Sequence, residues 1–323
     1  MLGAAALPFV ASLLVVWLLV PLARMAASRW GYVDLPRADR AHVSPTPRLG
    51  GAAVAAAVIV PLAPWWGSVP VGIAAGALLA VALGLVDDRR PLRPAAKLAG
   101  QAIAAAALIS AGWGAYPVWA LALAAFWTVA LMNAANLLDN QDGALSAAAL
   151  PAAAALGAIA LLLEAPAAAA ASFALAGAIA GFLRFNRPVA SIFLGDAGSL
   201  GIGFALSALT LALASRAGDL PRALAPGFAV AYPLFDLVFV TSTRIAEGRR
   251  IDQGGVDHTT HRLTRALGSV GRADGVIAAV SAAFGVMAVA RFLGGSWTSF
   301  AVSTAVALGF FAWMGMALLR VRH

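Results

Sequence analysis

The chain has 323 residues, of which 62% are hydrophobic and 11% are charged, and its mean hydropathy is +0.88. Because a soluble domain carries about 25% charged residues, this composition excludes a disordered chain, a nucleic-acid-binding module and an ordinary soluble enzyme. The sequence has no cysteine, which excludes disulfides, thiolate metal ligands and a cysteine nucleophile.

Eleven apolar segments follow one another along the chain, each close to the roughly 20 residues that a membrane-spanning helix needs. They are continuously apolar and lack the two-residue alternation of a membrane β-strand. We therefore predict an all-α, polytopic bundle of about eleven transmembrane helices that forms a single catalytic domain over residues 1–323. The first segment has no basic region before it, so we predict a span and not a cleaved signal peptide. The segments are 4–22, 49–66, 70–86, 97–113, 117–136, 144–163, 167–183, 198–215, 226–243, 274–292 and 298–318.

The basic residues predict the orientation of this bundle and account for most of its net charge of +8. All Lys and Arg residues except Arg216, Arg222 and Arg291 fall in one alternating set of connections or in the tail. By the positive-inside rule, that set is cytoplasmic, the N-terminus lies outside and the C-terminus lies in the cytoplasm. Most carboxylates lie on the same side, although the rule does not require it, so we expect the cytoplasmic face to use them.

The first predicted cytoplasmic connection contains the stretch from Asp34 to Gly51, which is rich in proline, glycine and arginine. Taken alone, it is also typical of a basic positive-inside loop. The next connection begins at Asp87 and Asp88, where the negative end of the helix dipole disfavours two adjacent carboxylates. This pair indicates a metal or general-base site, and the alternative is a solvated loop start neutralised by neighbouring arginines.

Four polar residues, Asn133, Asn136, Asp139 and Asp142, recur every third residue at the inner end of the fifth segment. On an α-helix this spacing puts neighbouring side chains on one face, but the face drifts by about half a turn from Asn133 to Asp142. We therefore expect either that the last turn tightens toward a 3₁₀ helix or that Gly143 caps the helix before Asp142. An amide at membrane depth needs a partner. The run therefore indicates a functional site, and hydrogen bonding between helices is the alternative.

The stretch from Phe193 to Ser199 precedes the eighth segment and contains Asp196. Asp196 fits the N-cap of a helix and also fits a metal-binding carboxylate. The adjacent helix N-terminus would suit a phosphate.

The longest predicted cytoplasmic loop, residues 244–273, contains His258, His261 and Arg262. Two histidines three residues apart beside an arginine indicate a site for phosphate or pyrophosphate. A zinc site is disfavoured, because the chain lacks cysteine and has few further nitrogen ligands. Carboxylates without thiolates favour Mg²⁺, so these residues predict a membrane enzyme that acts on a phosphorylated or nucleotide substrate.

Five motifs, taken together, resemble the polytopic phosphoglycosyl transferases, the polyprenyl-phosphate N-acetylhexosamine-1-phosphate transferase family, and in the first loop its WecA/TagO type. The resemblance spans residues 34–263 in the family's order. The last loop departs from the family's H-x-H-H-R-L pattern at Thr260, which bears on the sugar more than on the reaction. The motifs lie at 34–51, 87–97, 133–143, 193–199 and 258–263.

The resemblance implies transfer of a sugar 1-phosphate, by default N-acetylglucosamine 1-phosphate, from a UDP-sugar to undecaprenyl or another polyprenyl phosphate. UMP would be released at the cytoplasmic leaflet of a bacterial-type cell membrane. It implies Asp196 and Asp139 as ligands of Mg²⁺, with Mn²⁺ as the other candidate ion. It implies Asp87 as a base or lipid-phosphate partner, with Asp88 beside it, and a catalytic part for Asp139. The substrate-binding residues that it implies are Lys97, Asn133, Asn136, Asp142, Phe193, His258, His261 and Arg262.

Several alternatives stay open from the sequence. An MraY-type phospho-N-acetylmuramoyl-pentapeptide transferase is the alternative within the family, and a secondary transporter is the alternative of another class. A transporter usually places its polar residues near the bilayer midplane, where only Asp236 stands clearly within a segment. The partners that we expect are the lipid carrier, the UDP-sugar and the bilayer but no nucleic acid, and helix faces of small residues could support a homodimer.

Overall fold

The computed structural model describes residues 2–34, 45–110, 116–252 and 255–321 and has an all-α architecture. Nine of its helices are long and apolar enough to cross a membrane, and a tenth span results if a bent helix pair counts as one. The helices are α1 Leu2–Trp30, α2 Gly50–Ile59 with a 3₁₀ extension Val60–Ser68, α3 Val71–Arg89, α4 Pro94–Ile109, α5 Val118–Leu138, α6 Ala144–Leu162, α7 Pro166–Asn186, α8 Gly195–Ala214, α9 Leu220–Ala223, α10 Pro226–Ala229, α11 Ala231–Ala246, α12 Thr259–Leu267, α13 Val270–Gly294 and α14 Trp297–Leu319. Two two-residue strands, β1 Val33–Asp34 and β2 Thr46–Pro47, pair antiparallel.

Each of the eleven predicted segments corresponds to a helix or a helix pair, so the prediction of a polytopic helical membrane protein is confirmed. Two segments differ from a simple span. The fourth is the 16-residue helix α4, and the ninth is bent by 70° between α10 and α11. The bend has a local cause, because Pro233 has no backbone N–H to bond the carbonyl of Ala229 and continue one helix through Val230.

Helix α8 forms the centre of the bundle and is the most buried of the candidate spans in the described residues. Its small residues allow its neighbours to approach its backbone directly. A side chain at Gly51 would collide with the backbone of Gly198, and one at Gly84 would collide with Ala197. Close contacts of this kind are typical of membrane helices, which associate through small residues.

Alternation of chain direction brings four helix ends together. Helices α3 and α5 finish at the end of the bundle where α4 and α8 begin. We call this the carboxylate end, because Asp87, Asp88, Asp139 and Asp196 all lie there. The other ends of α3 and α8, near Val71 and Ala214, meet at what we call the opposite end.

Candidate active site

A cluster that we call the carboxylate centre comprises Asp87, Lys97, Asn136, Asp139 and Asp196. The Lys97 ammonium lies 2.8 Å from the Asp87 carboxylate and 2.6 Å from the Asp196 carboxylate. It also donates to the Asn136 Oδ1 at 3.0 Å. Three helices thus place one cation between two carboxylates that would otherwise repel each other.

Asn136 bonds the Asp196 oxygen that Lys97 does not. Its Nδ2 donates to the Asp196 carboxylate at 2.8 Å and to the Ser199 hydroxyl at 2.9 Å. One amide therefore accepts from the lysine and donates to the carboxylate that the lysine pairs with. Sequence reasoning missed Ser199, although it lies one turn after Asp196 on the same helix.

Asp139 stands apart from this hydrogen-bonded set. Within the described part of the chain, its carboxylate makes no hydrogen bond, and it follows directly after the last residue of α5. Burial, together with the charges of Asp196 and Asp88, raises the pKa of Asp139 well above its usual range. A cation beside it would favour the charged form.

Asp88 bonds the backbone at the start of helix α8 and caps it. Its two carboxylate oxygens accept hydrogen bonds from the backbone N–H groups of Asp196 at 2.9 Å and Ala197 at 3.1 Å. Gly195, with φ +70°, lies so close to Asp88 that a side chain there would contact its Oδ2 at 2.7 Å. The two adjacent aspartates therefore differ: Asp87 faces the lysine, and Asp88 positions the chain that carries Asp196.

Neither predicted ending of this helix, a 3₁₀ last turn or a cap at Gly143, is found, because the polar run leaves the helix after Leu138. Helix α5 ends at Leu138, and Gly143, with φ +80°, is the N-cap of α6 and not the cap of α5. Asp142 accepts from the Ala190 N–H at 2.9 Å. The residues between Leu138 and Ala144 form a turn, and the positive φ of Gly143, which glycine adopts without strain, lets α6 begin directly after it.

Asn133 pairs with a neighbouring helix, and among the described residues its side chain makes no hydrogen bond to the carboxylate centre. Its Nδ2 donates to the Gln101 Oε1 at 2.7 Å, and the Gln101 Nε2 donates back at 3.4 Å. Gln101 is fully buried. At this position, the alternative of hydrogen bonding between helices describes the structure better than substrate contact does.

A second group, which we call the histidine network, lies at the start of α12 and comprises Asp236, His258 and Thr259. The His258 Nδ1 is 3.0 Å from the Asp236 Oδ2, and the Asp236 Oδ1 accepts from the backbone N–H and hydroxyl of Thr259 at 2.9 and 2.6 Å. Asp236 is fully buried. Its place in an apolar segment was the signal for it, since a carboxylate at that depth needs partners, but its partners lie far along the chain.

A buried ion pair closes the loop before this network. Arg244 donates to both oxygens of Asp257 at 2.8 and 2.9 Å. Burial alone would raise the pKa of Asp257, but the hydrogen bonds and charge of Arg244 outweigh it and hold this pKa well below its usual range. The pair fixes the residue next to His258.

Arg262 bonds the end of α14, and its role in holding the diphosphate or sugar stays a prediction. Its guanidinium donates to the carbonyls of Leu318 at 3.0 Å and Val321 at 2.9 Å, and it lies over the ring of Phe239. The side chain is buried. Arg262 therefore ties α12 to the last turn of α14.

Helix α12 packs against the turn that follows Asp139. The Thr260 hydroxyl donates to the Asn140 Oδ1 at 2.6 Å, and the Thr264 hydroxyl donates to the Gln141 Oε1 at 2.9 Å. Burial, with the nearby charge of His258, lowers the pKa of His261 to about 4. His261 is therefore neutral near pH 7. Thr260, where the sequence departs from the family pattern, supplies the hydroxyl that bonds α12 to the turn at Asn140.

The backbone at Phe193 joins the first loop to the site. The Phe193 N–H donates to the Pro47 carbonyl at 2.8 Å, and the Phe193 carbonyl accepts from the Gly50 N–H at 3.1 Å. The ring is half-buried, and its stacking on uracil stays a prediction. The first loop is described only at its two ends, where Arg48 pairs with Asp34 at 3.3 Å. Its other residues, 35–44, lie outside the described residues.

The carboxylates of the centre are too few to bind a divalent cation without ligands from substrate. Among residues 2–34, 45–110, 116–252 and 255–321, no group of three or more His, Asp or Glu side chains stands close enough to hold a metal. Mg²⁺ usually needs only one or two protein carboxylates when substrate phosphates complete its shell. The unbonded Asp139 carboxylate and the half-buried Asp196 carboxylate fit that requirement.

Comparisons with known proteins relate this chain to glycosyltransferases. The sequence profile described as Glycosyl transferase family 4 matches residues 70–214, which include the carboxylate centre. A "putative glycosyltransferase" of Streptomyces coelicolor is 37% identical over 274 residues, which are 81% of this chain and 64% of that protein. The match thus spans less than two thirds of that relative.

Two further relatives carry more specific names. The decaprenyl-phosphate N-acetylglucosaminephosphotransferase of Mycobacterium tuberculosis is 32% identical over 287 residues, which cover 74% of this chain and 70% of that protein. A phospho-N-acetylmuramoyl-pentapeptide-transferase of Listeria monocytogenes is 42% identical over 86 residues, which cover 27% of this chain and 26% of that protein. The long match and the short match thus differ in the sugar that their names state.

Proposed function

This chain belongs to the polyprenyl-phosphate N-acetylhexosamine-1-phosphate transferase family, and from that premise we propose that it transfers N-acetylglucosamine 1-phosphate from UDP-N-acetylglucosamine to a polyprenyl phosphate. The observation that carries the proposal is the contact of Lys97 with Asp87, Asn136 and Asp196 at one end of the bundle. By the distribution of basic residues, that end faces the cytoplasm of a bacterial-type cell membrane, where a UDP-sugar is available.

The reaction is a phosphoryl-group displacement. A phosphate oxygen of the lipid forms a bond to the β-phosphorus of the donor, the bond from that phosphorus to the bridging oxygen breaks, and UMP leaves. A phosphate monoester has its second pKa near 6, so the attacking oxygen is largely ionised at neutral pH. Positioning and charge neutralisation therefore suffice, as in other phosphoryl transfers.

The residues of the carboxylate centre have different roles in positioning the substrates and neutralising their charge. Lys97 is the cation available to the phosphate of the lipid, and Asp87 holds that ammonium in place from α3. Asn136 orients Asp196 through the bond between the Asn136 Nδ2 and the Asp196 carboxylate. Asp88 contributes by positioning α8, and we assign it no contact with substrate.

Asp139 and Asp196 are the residues that would hold Mg²⁺. Bound there, the ion would supply neutralisation of the charge on the donor diphosphate. The raised pKa of Asp139 follows from burial and from neighbouring carboxylates, and a divalent cation would relieve the second of these causes.

Helix α12 bears on the choice of sugar. It places His261, neutral near pH 7 because of its lowered pKa, close to the turn that carries Asp139 through the contact of Thr260 with Asn140. A neutral imidazole can donate to and accept from sugar hydroxyl or acetamido groups. The long match to an N-acetylglucosamine enzyme favours that sugar over the muramoyl-pentapeptide substrate.

The test is UMP release by the purified chain in detergent with polyprenyl phosphate, UDP-N-acetylglucosamine and Mg²⁺. We expect release that requires all three components and that the Asp196→Asn variant loses. Glu164→Gln, an exposed carboxylate far along the chain from the carboxylate centre, is the matched control. Release with UDP-N-acetylmuramoyl-pentapeptide alone would replace the proposed sugar, and no release with any UDP-sugar by folded protein would overturn the proposal.

A further inference from the structure

A large apolar cavity lies at the opposite end of the bundle. Its volume is about 920 Å³, which falls within the range of pockets that take whole ligands. Its walls come from α2 with its extension, α3, α7 and α8, and include Ile59, Ile73, Ala168, Phe204 and Ala212. None of these residues belongs to the carboxylate centre or the histidine network.

The cavity and the carboxylate centre are separated along α8. From Asp196 to Ser215 the helix advances by roughly 28 Å at 1.5 Å per residue. A separate pocket of about 80 Å³, which Gly51 and Gly198 line, lies between the cavity and the centre. The α2 and α8 backbones touch at those two glycines, so the cavity lies beyond this contact from the carboxylate centre.

The mouth of the cavity has the character of a membrane interface. Trp65, Trp66 and Tyr116 line it, and tryptophan and tyrosine are enriched where a bilayer meets water. Trp66 is 59% exposed, and Val71 and Leu78 are also largely exposed. The cavity therefore opens on a surface that the fold turns toward lipid.

Arg216 gives this mouth a positive charge. It lines the cavity and is exposed, and within the described residues its guanidinium has neither a hydrogen bond nor an acidic partner. Arg222, on the same end, is paired with Asp219 and bonds the carbonyl of Phe292 at 3.2 Å. A guanidinium presents a fork of donors that matches a phosphate, and Arg216 is the one of the two that remains available.

We propose that this cavity binds an acyl chain of an anionic glycerophospholipid, with the phosphate of its headgroup on Arg216. The apolar walls take the chain, the aromatic residues lie at the level of the glycerol, and the arginine selects for negative charge. The isoprenoid tail of the lipid acceptor is the other apolar chain to consider. It is disfavoured because the close contact of Gly51 with Gly198 lies between the cavity and the carboxylate centre, where the phosphate of that lipid must react.

The experiment measures phospholipid that stays bound to the purified full chain, by native mass spectrometry after extraction from vesicles of phosphatidylcholine with phosphatidylglycerol. We expect the unchanged chain to retain phosphatidylglycerol. Arg216→Gln should lower that retention about tenfold, the effect of one charge-assisted hydrogen bond, and Arg216→Lys should keep most of it. Arg320→Gln, an exposed arginine at the other end of the bundle, should change nothing.

Filling variants test the cavity itself. Ala212→Leu and Ala168→Leu reduce the space from two different helices, so that one suffices if the other fails to fold. Each should reduce retention of both phospholipids, while UMP release in detergent stays within about twofold, since distant sites are usually independent. The proposal would be overturned if the Arg216→Gln and filling variants retained as much phosphatidylglycerol as the unchanged chain. Displacement of phosphatidylglycerol by polyprenyl phosphate, one for one, would also overturn it and assign the cavity to the acceptor.

Discussion

The carboxylate centre and the Arg244–Asp257 pair both join carboxylates to a cation, yet the two sites differ in pairing and exposure. In the centre, Lys97 is shared by two carboxylates, and the Asp196 side chain remains 29% exposed. Beside the histidine network, the Asp257 side chain is 2% exposed and has both oxygens bound by Arg244. The carboxylates of the centre can still bind a ligand, whereas the Asp257 carboxylate is fully occupied by Arg244.

This difference teaches how polar residues in a membrane protein can be sorted. A buried charge pair with every donor placed adds a defined geometry but is weak evidence of a functional contact. Crowded carboxylates that share too few cations are unstable as a group and favour a ligand that brings positive charge. Exposure together with incomplete pairing, and not residue type, separates the candidate catalytic group from its support.

The largest expected effect falls on the centre. Asp196→Asn should reduce UMP release by about a thousandfold, because the several kcal/mol that a metal-assisted step supplies are lost at tenfold per 1.4 kcal/mol. The thermal unfolding temperature should change little, since the amide keeps one oxygen that can accept from Lys97. Steady-state rates and a thermal melt in detergent check this. A variant that keeps near-normal turnover would contradict the comparison.

The support should respond in the opposite way. Arg244→Ala leaves the Asp257 carboxylate buried and unpaired, which should cost about 3–5 kcal/mol in the free energy of unfolding. Thermal unfolding in detergent measures the loss. Activity per folded molecule should fall much less than in Asp196→Asn. A normal melting temperature with abolished turnover would instead give Arg244 a direct part in the reaction.

His261 sharpens the comparison through its dependence on pH. Since its pKa is lowered to about 4 by burial, whereas an unfolded histidine titrates near 6.5, the folded state binds the proton less well. Stability should therefore be fully present above about pH 6.5 and be lost as the pH falls toward 4. Melting temperature measured against pH should show this slope, and His261→Asn should flatten it. An equal slope in both proteins would contradict the neutral state of His261.

Asn133 and Asn136, one turn apart on α5, offer the smallest and most closely matched test. Asn133→Ala removes the pairing with Gln101 and should cost about 0.6–2 kcal/mol in stability, the usual worth of a polar contact between membrane helices. Its turnover should stay within about threefold on the same grounds.

Asn136→Ala, by contrast, removes the bond that orients Asp196 and should lower turnover about 10- to 100-fold, as is usual for residues that orient a ligand. Parallel rates and melting temperatures of the two variants decide the assignment. If Asn133→Ala lost more turnover than Asn136→Ala, their roles would have to be exchanged.

Hydropathy predicted the order and positions of the helices, because burial in lipid leaves a continuous apolar run in the sequence. It did not predict the bend at Val230 or the end of α5 at Leu138, since both depend on local backbone chemistry at Pro233 and Gly143. The sequence also predicted which stretches meet, but not what each residue does there. The separation of Asp87 from Asp88, and the burial of Arg262, are set by neighbours more than 50 positions away.

The cap that Asp88 places on α8 has a consequence for free anions. A helix N-terminus ordinarily attracts phosphate through its unbonded N–H groups, but here two of those groups already hold a carboxylate that is tethered to the same chain. A tethered group competes at a high effective concentration, so free inorganic phosphate would have to displace it. Asp88 therefore blocks phosphate binding at this helix end, and the side chains around it must select among phosphate compounds.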